Sequence, residues 1–184
     1  MSRLFVAITP PVPVRSELAA LAAPLTDVRW TPEDNLHLTL RFIGDTDEGR
    51  QERFAEALAR VHVEPFILPV GDLGLFPTRG PAKVLWAGVG QGHTRLYQLR
   101  KQVDEALLTI DSGIPMPGFH PHFTLARLGE NYEPKQLAHF LERNAGFEAP
   151  PFRVTEIQLI ASELSPGRPP AYQVVRTIAL AATT

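Results

Sequence analysis

Leu-His-Leu-Thr-Leu at residues 36–40 is the stretch that decides the fold of this chain, because nearly the same stretch returns as Pro-His-Phe-Thr-Leu at residues 121–125. Each copy is His-x-Thr-Leu with an apolar residue at x, and each lies in a run typical of a β-strand. One copy alone would indicate little, since the 6 histidines among 184 residues give roughly 0.4 His-x-Thr triplets by chance. A matched pair is uncommon, and it predicts that the two strands serve one site.

Within each strand the motif places an imidazole beside a hydroxyl. Residues two apart on a strand point to the same face, so His37 lies next to Thr39 and His122 lies next to Thr124. If the two strands face each other, one small pocket holds two proton-transfer groups and two hydroxyl donors. This set is the minimum needed for metal-free acid–base chemistry on a phosphodiester, which is the hypothesis that we favour.

Two other classes of function stay open at this stage. His120 is in register with His122, and together with His37 these residues could form the three-histidine site of a zinc-dependent hydrolase. The paired threonines would then have no purpose. The protein could also be a non-catalytic binder of RNA ends or nucleotides, although such a binder has no chemical need for two intact His–Thr pairs.

Composition narrows the class of protein. Hydrophobic residues make up 44% and charged residues 21% of the chain, as in a soluble globular protein of one domain or two small lobes. The chain has no cysteine, which excludes disulfides and thiolate sites, and we expect a cytoplasmic protein with no apolar run long enough to span a membrane. The formal net charge of −2 argues against binding along a long nucleic acid. If the protein binds RNA, we expect it to bind an end or a few nucleotides.

On either side of the motif strands, the sequence patterns predict short strands mixed with amphipathic helices. The patterns predict helices over residues 14–25, 48–62 and 96–110 and a fourth after Pro134, with Asp45 or Thr46 capping the second. They predict strands over residues 4–8, 29–30, 36–43, 66–70, 71–75, 84–89, 122–128, 152–161 and 172–180, the last two pairing as a hairpin.

This order of elements lacks a strict β-α-β rhythm, so an α+β fold with antiparallel sheets fits better than a doubly wound parallel sheet. The two motifs lie 85 residues apart, with helices on both sides of each. This spacing suggests an old duplication in which two lobes each donate one His-x-Thr strand to a shared cleft.

Several other side chains have a plain structural interpretation. Arg41 is in register with His37 and Thr39, and we expect a solvated strand end there. The remaining candidates are the aromatic rings that could stack on a base, although buried core positions explain them better: Trp30, Phe76, Phe119 and Phe123.

The motif blocks resemble the two-histidine phosphoesterase superfamily, and within it the RNA 2′,3′-cyclic phosphodiesterases, also called the 2′-5′ RNA ligase family. The likeness covers nearly the whole chain. It is carried by residues 3–8, by 29–44 with the first motif, by 75–77 with 84–86, and by 121–127 with the second motif. Near the end of the chain it is carried by Ser162, Leu164, Pro166, Gly167 and Tyr172.

The resemblance implies a single bilobal domain over residues 1–184: an α+β fold of two antiparallel sheets with flanking helices, a central cleft and a pseudo-two-fold duplication. It implies that no metal or cofactor takes part, that RNA ends or nucleoside 2′,3′-cyclic phosphates are the partners, and that reversible 2′-5′ ligation accompanies hydrolysis. We expect a monomer that does not act at a membrane. In this scheme His37 is the proton donor and His122 the proton acceptor, and the substrate-binding residues are Thr39, Thr124 and Arg127. Plain alternation puts Arg127 on the opposite face from Thr124, so its role requires a twist or bulge in the strand.

Overall fold

The structure is a computed structural model that describes residues 2–91, 93–115, 117–163, 165, 167 and 169–181. Leu164 and Pro166, which carried part of the resemblance, lie outside the described residues. The described helices are α1 (Val12–Ala19), α2 (Glu48–Leu58), α3 (Thr94–Leu108) and α4 (Pro134–Arg143), with a short 3₁₀ helix at Glu33–Asn35. The described strands are β1 (Ser2–Ile8), β2 (Val28–Trp30), β3 (Leu38–Thr46), β4 (Phe66–Phe76), β5 (Val84–Gly88), β6 (His122–Leu128), β7 (Glu148–Val154), β8 (Glu156–Glu163) and β9 (Ala171–Ala179).

All four predicted helices are present, and their ends differ for local reasons. α2 is capped by Asp47, whose side chain accepts a hydrogen bond of 2.8 Å from the backbone N–H of Arg50; the predicted caps, Asp45 and Thr46, are therefore wrong. α1 ends at Ala19 rather than at residue 25. The apolar spacing continues past that end only because loop residues there also pack on the core, and Pro24 disfavours helix in the residue before it.

The strands form one antiparallel sheet in the order β7-β4-β5-β6-β3-β1-β8-β9, with β2 also paired to β6. The predicted α+β class with antiparallel strands is thus confirmed. The two expected sheets are joined edge to edge as halves of one sheet, because β3 pairs with β6 at a single position, Leu38 with Phe123. Each half contributes four strands to the main path.

Two strand predictions need correction. Residues 152–161 do not form one strand, because the strand is interrupted at Thr155. β7, which ends before it, pairs with β4, and β8, which begins after it, pairs with β1 and β9. The predicted hairpin of the last two strands is confirmed as β8–β9. Conversely, the strands predicted over residues 66–70 and 71–75 form the single strand β4. Its pairing with β5 shifts register at Asp72, which has a positive φ of 56°, and the strand continues beyond that residue.

The break at Thr155 also shapes the sheet. β7 is one edge of the sheet and β8 is the last strand but one at the other end. One residue spans at most about 3.6 Å, so the two ends of the sheet come together at Thr155. The sheet is therefore strongly curved, and the motif strands lie at its middle.

The two faces of the sheet have different partners. One face holds the main core, in which Leu38 and Phe123 are 0% exposed and are packed with the buried residues of the helices. On β1, alternate residues reach the other face, where Phe5 and Ala7 form a small second cluster with Ile160. This second face carries the candidate site. No described helix is long and apolar enough to cross a membrane.

Candidate active site

The two motifs meet at the single pair that joins the halves of the sheet. Leu38 lies opposite Phe123, and the next residue on each side of an antiparallel pair faces its counterpart. His37 lies just before β3, and continuing the alignment by one residue in each direction would set His37 against Thr124 and Thr39 against His122. Since Leu38 and Phe123 point into the core, these four side chains share the other face. The two histidines are diagonal neighbours, a relation in which Cα atoms lie about 7–8 Å apart.

The backbone orients both imidazoles in the same way. Nδ1 of His37 is 2.7 Å from the carbonyl oxygen of Asn35, and Nδ1 of His122 is 2.7 Å from the carbonyl oxygen of His120. A carbonyl can only accept, so each Nδ1 carries a hydrogen and each Nε2 is the nitrogen that gains or loses a proton. Nε2 of His37 is 3.1 Å from the hydroxyl of Thr39, which donates to it when the ring is neutral.

Aromatic rings hold the imidazoles from the side. The centroid of His37 is 4.8 Å from that of Phe5 and 5.3 Å from that of Tyr172, which presents its edge. The centroid of His122 is 5.0 Å from that of Phe76. These contacts fix the planes of both rings, which a proton-transfer group needs in order to keep its nitrogen aimed at one point.

The same surroundings change the acidity of the site. Burial lowers the pKa of His37, and a positive charge on His122 lowers it further. The hydrogen bond to the carbonyl of Asn35 raises this pKa and offsets part of the decrease. Burial is also the main reason that the pKa of His122 is lowered. Burial raises the pKa of Tyr172, so its hydroxyl keeps its proton at neutral pH. The two histidines thus disfavour simultaneous protonation, which suits a pair that shares one proton.

A cavity of about 730 Å³ opens beside the motif strands. Three of the four motif residues line it: His37, Thr39 and Thr124. The ring of His122 is not part of this lining and packs on Phe76 instead. No carboxylate is among the described lining residues, whereas three arginines are: Arg29, Arg127 and Arg3, the last of which pairs with Asp45. The cavity therefore favours an anion.

Arg127 reaches the cavity because β6 bulges. Trp86 pairs with Thr124 and Leu85 pairs with Ala126, which leaves Leu125 without a counterpart on β5. One extra residue reverses the alternation, and Arg127 returns to the face of Thr124. The bulge that the predicted role of Arg127 required is therefore present.

The same device corrects the prediction for Arg41. On β3 the pairing with β1 skips Leu40, because Ala7 pairs with Thr39 and Val6 pairs with Arg41. Arg41 is therefore turned into the core, where it is 2% exposed and its Nη1 lies 3.5 Å from a carboxylate oxygen of Asp104 on α3. It is not a solvated strand end.

Phe42 occupies in β3 the place that Arg127 occupies in β6. Each lies three residues after the motif threonine and just past the bulge, and both line the cavity. Phe42 is 68% exposed. Its place in the cavity was not predicted from the sequence, although a comparison of the two motif copies beyond their Thr-Leu pairs it with Arg127. Arg29 and the contact of Tyr172 with His37 were also not predicted, because the strand pattern gives no signal for them.

The zinc alternative finds no support in the geometry. Within the described residues, no three side chains of His, Cys, Asp or Glu converge as a metal site would require. The ring of His120 packs against Phe76 and Trp86, with centroids 4.9 Å from each. The contribution of His120 to the motif is its backbone carbonyl.

Of the four aromatic residues considered for base stacking, Phe123 is a core residue, as expected. Phe76 packs on His122, and Phe119 lies under the guanidinium of Arg100 at 5.0 Å. Trp30 lines the cavity while its indole N–H donates a hydrogen bond of 2.9 Å to the carbonyl of Ala23.

Solved structures share this fold throughout. Escherichia coli LigT in its apo form aligns with a TM-score of 0.77 and 27% identity over 98% of each chain. The same protein complexed with 3′-AMP aligns with a TM-score of 0.75. The protein TT0787 of Thermus thermophilus aligns with a TM-score of 0.80 at 24% identity, over 99% of this chain and 100% of that one, and shows the fold alone. Together with the paired His–Thr strands, these likenesses define a phosphoesterase.

The sequence comparisons give the family. The model of the LigT-like phosphoesterases matches residues 8–86 and 89–171, and the chain belongs to that family. The RNA 2′,3′-cyclic phosphodiesterase of Aeropyrum pernix is 32% identical over 152 residues, which cover 83% of this chain and 85% of that protein. The protein of the same name from Escherichia coli is 27% identical over 175 residues and 90% of each chain. The resemblance predicted from the motifs is confirmed.

Proposed function

We propose that the protein opens the 2′,3′-cyclic phosphate at RNA ends or on nucleosides to give a 2′-phosphate, with His37 and His122 as the acid and base and with no metal. The observation that carries the proposal is the facing of two His–Thr pairs across one strand pair, beside an arginine-lined cavity. Several relatives are named RNA 2′,3′-cyclic phosphodiesterase, and a related structure holds 3′-AMP, which supports a nucleotide substrate.

The reaction uses the Nε2 atoms of both rings. Nε2 of His122 takes a proton from water as the water oxygen bonds to phosphorus, and Nε2–H of His37 gives its proton to the 3′ oxygen as the P–O3′ bond breaks. The attacking and leaving oxygens lie on opposite sides of phosphorus, which matches two histidines placed diagonally. The pair regains its starting state when one proton returns to His37 and one leaves His122 through solvent.

Three further side chains act on the phosphate oxygens. The hydroxyls of Thr39 and Thr124 donate to the two non-bridging oxygens from opposite strands. The charge of Arg127 offsets the negative charge that grows there in the transition state. The near-symmetry of the site does not choose between the two ribose oxygens, and the resemblance to the family assigns the donor role to His37.

Ligation follows from the same assignment. If a 5′-hydroxyl takes the place of water, His122 removes its proton and the 3′ oxygen again leaves. The phosphate then stays on the 2′ oxygen, so the product is a 2′-5′ linkage. Because the two halves of the sheet each supply one motif, we propose that residues 1–184 act as a single catalytic domain.

The test is incubation of the purified protein with a nucleoside 2′,3′-cyclic phosphate in excess chelator. We expect turnover at the rate seen without chelator, and an unchanged rate in His120→Gln. Loss of activity on chelation with recovery on added zinc would replace the proposal by the zinc hydrolase. Tight binding of the nucleotide without turnover, with or without metal, would replace it by the non-catalytic binder.

A further inference from the structure

A second arginine stands beside Arg127 in the wall of the cavity. β2 and β6 are antiparallel, and Arg29 is the registered partner of Arg127. Directly opposite residues share a face and have Cβ atoms about 4.5–5.5 Å apart. Both side chains are exposed and both line the cavity.

Nothing in the described part of the chain neutralises this pair. No described carboxylate lines the cavity, and neither Arg29 nor Arg127 makes a hydrogen bond or ion pair with another described side chain. Like charges directly opposite each other destabilise a strand pair. An anion bound between the two guanidinium groups would remove that repulsion, and arginine suits the oxygens of a phosphate.

The position of Arg29 separates this anion from the reacting phosphate, which Arg127 also faces. Arg127 lies on β6 three residues beyond Thr124, about 10 Å along the strand. Arg29 lies on the neighbouring strand β2, which pairs with β6 on the side away from β5. The reacting phosphate already has its donors in the two motifs. The cavity, at about 730 Å³, is in the upper half of the range of about 300–1,000 Å³ for small-ligand sites, so it has room for a second group.

We propose that Arg29 binds the phosphodiester that joins the terminal nucleotide to the one before it, with Arg127 between the two phosphates. The inference rests on the proposed function and makes an RNA strand end a better substrate than a free nucleotide. The contact is to the backbone, so it carries no base preference.

The experiment compares three substrates that end in the same 2′,3′-cyclic phosphate: a mononucleotide, a dinucleotide, and a dinucleotide whose linkage is an uncharged methylphosphonate. The proteins are the wild type, Arg29→Ala, Arg29→Lys and Arg153→Ala. Arg153 is an exposed strand arginine on β7 outside the cavity lining and serves as the matched control, with no expected effect on any substrate.

We expect Arg29→Ala to lower kcat/KM for the charged dinucleotide about 10-fold more than for the mononucleotide, mostly through KM, as for a lost hydrogen bond to a charged group. The extra loss should vanish with the methylphosphonate, because the two changes remove the same contact. Arg29→Lys should recover part of the loss. The plot of log(kcat/KM) against log salt for the dinucleotide should be shallower in Arg29→Ala by about 0.7, the value for one phosphate contact on a single strand.

Equal losses on all three substrates would overturn the inference, since Arg29 would then act only on the general potential of the cavity. No loss on any substrate would also overturn it. In both cases wild-type turnover of the mononucleotide would leave the proposed function standing, whereas absence of turnover on every substrate would contradict the proposed function itself.

Discussion

The imidazoles of His37 and His122 are oriented by the same backbone contact. In each motif the carbonyl two residues upstream accepts from Nδ1, so Nε2 is the nitrogen that would transfer a proton in the proposed reaction. Orientation by a carbonyl does not depend on a side chain that could itself titrate. The pair differs in its neighbours, since His37 lies against Phe5 and Tyr172 while His122 lies against Phe76.

Removal of either imidazole should cost most of the activity. General acid–base groups contribute about 10²–10⁴-fold each, so we expect His37→Ala and His122→Ala to lose that much in kcat on a 2′,3′-cyclic phosphate. Thr39→Ala and Thr124→Ala should lose roughly 10–10²-fold, because a hydrogen bond to a charged group is worth about 1.5–3 kcal/mol. Steady-state kinetics measure this, with thermal melting to show that each variant is folded. Near wild-type turnover in a histidine variant would disprove its assigned role.

We expect the ring of Phe42 to stack on the base of the substrate. It is an exposed aromatic ring on the cavity wall, and base–aromatic stacking is worth about 1–3 kcal/mol per base. We expect Phe42→Ala to raise KM about 10-fold with little change in kcat, and Phe42→Trp to restore it. Tyr97→Ala, a half-exposed ring on α3 outside the cavity lining, is the control.

A substrate without a base decides what that result means. If Phe42→Ala raises KM equally for methyl riboside 2′,3′-cyclic phosphate, the ring shapes the cavity and does not stack on a base.

The four motif residues could be predicted from the sequence because their spacing is a strand spacing and because the pattern repeats. Arg41 could not, since strict alternation placed it with His37 and Thr39. The bulge at Leu40 sends it to the core, and a pattern of period 2 contains no sign of an inserted residue. Leu125 and Ala126 do leave a trace, as two adjacent buried apolar residues.

At the level of the strand, the two bulges decide which side chains of β3 and β6 face the cavity. Each follows its motif threonine by one residue, and each turns the third residue after that threonine toward the cavity. The boundary between β7 and β8 escaped prediction for another reason. Residues 152–161 contain no glycine or proline to mark a strand end, although the adjacent polar residues Thr155 and Glu156 interrupt the alternation there. The break is fixed by distant partners, because β7 pairs with β4 and β8 pairs with β1 in the other half of the sheet.

The bulge in β3 also creates a testable ion pair. Asp104 on α3 contacts Arg41 and accepts a hydrogen bond of 2.8 Å from Arg100. Removing one partner of a buried pair costs about 3–5 kcal/mol, so we expect Asp104→Asn to lower the free energy of unfolding by about 3 kcal/mol in urea denaturation. Glu105→Gln is the matched control, because Glu105 pairs with Lys101 on the exposed side of the same helix, where such a pair is worth about 0–1 kcal/mol. Similar small losses in both variants would show that Asp104 does not anchor α3 to β3.

At the scale of the whole molecule, the strong curvature of the sheet and its single connecting pair explain the cleft. β3 leaves β6 after Leu38 and Phe123, and β2 takes its place along β6. The cavity opens where the strands part, and its lining takes His37 from one half of the sheet and Thr124, the neighbour of His122, from the other. The duplication suggested by the 85-residue spacing agrees with the equal numbers of strands that the two halves contribute to the main path.

A site built from two histidines, one from each half of the sheet, predicts the pH dependence of the reaction. In the proposed mechanism the active form carries one proton on the pair, so kcat/KM should be bell-shaped in pH, with both limbs belonging to the pair. Burial lowers the pKa of both histidines, so the alkaline limb of kcat/KM, which reports the free enzyme, should lie below about 6.5, the ordinary value. A bound phosphate anion favours the imidazolium, so the alkaline limb of kcat should lie at higher pH. A flat profile between about pH 5 and 8 would argue against catalysis by two histidines.

The central claim is that one histidine from each half of the sheet acts on opposite sides of the same phosphorus, with His37 delivering its proton to the 3′ oxygen. Phosphorus NMR of the product formed from a nucleoside 2′,3′-cyclic phosphate, compared with both monophosphate standards, tests it most directly. We expect a 2′-phosphate with a free 3′-hydroxyl. A 3′-phosphate would contradict it, since the substrate would then lie reversed and the donor and acceptor roles of His37 and His122 would have to be exchanged.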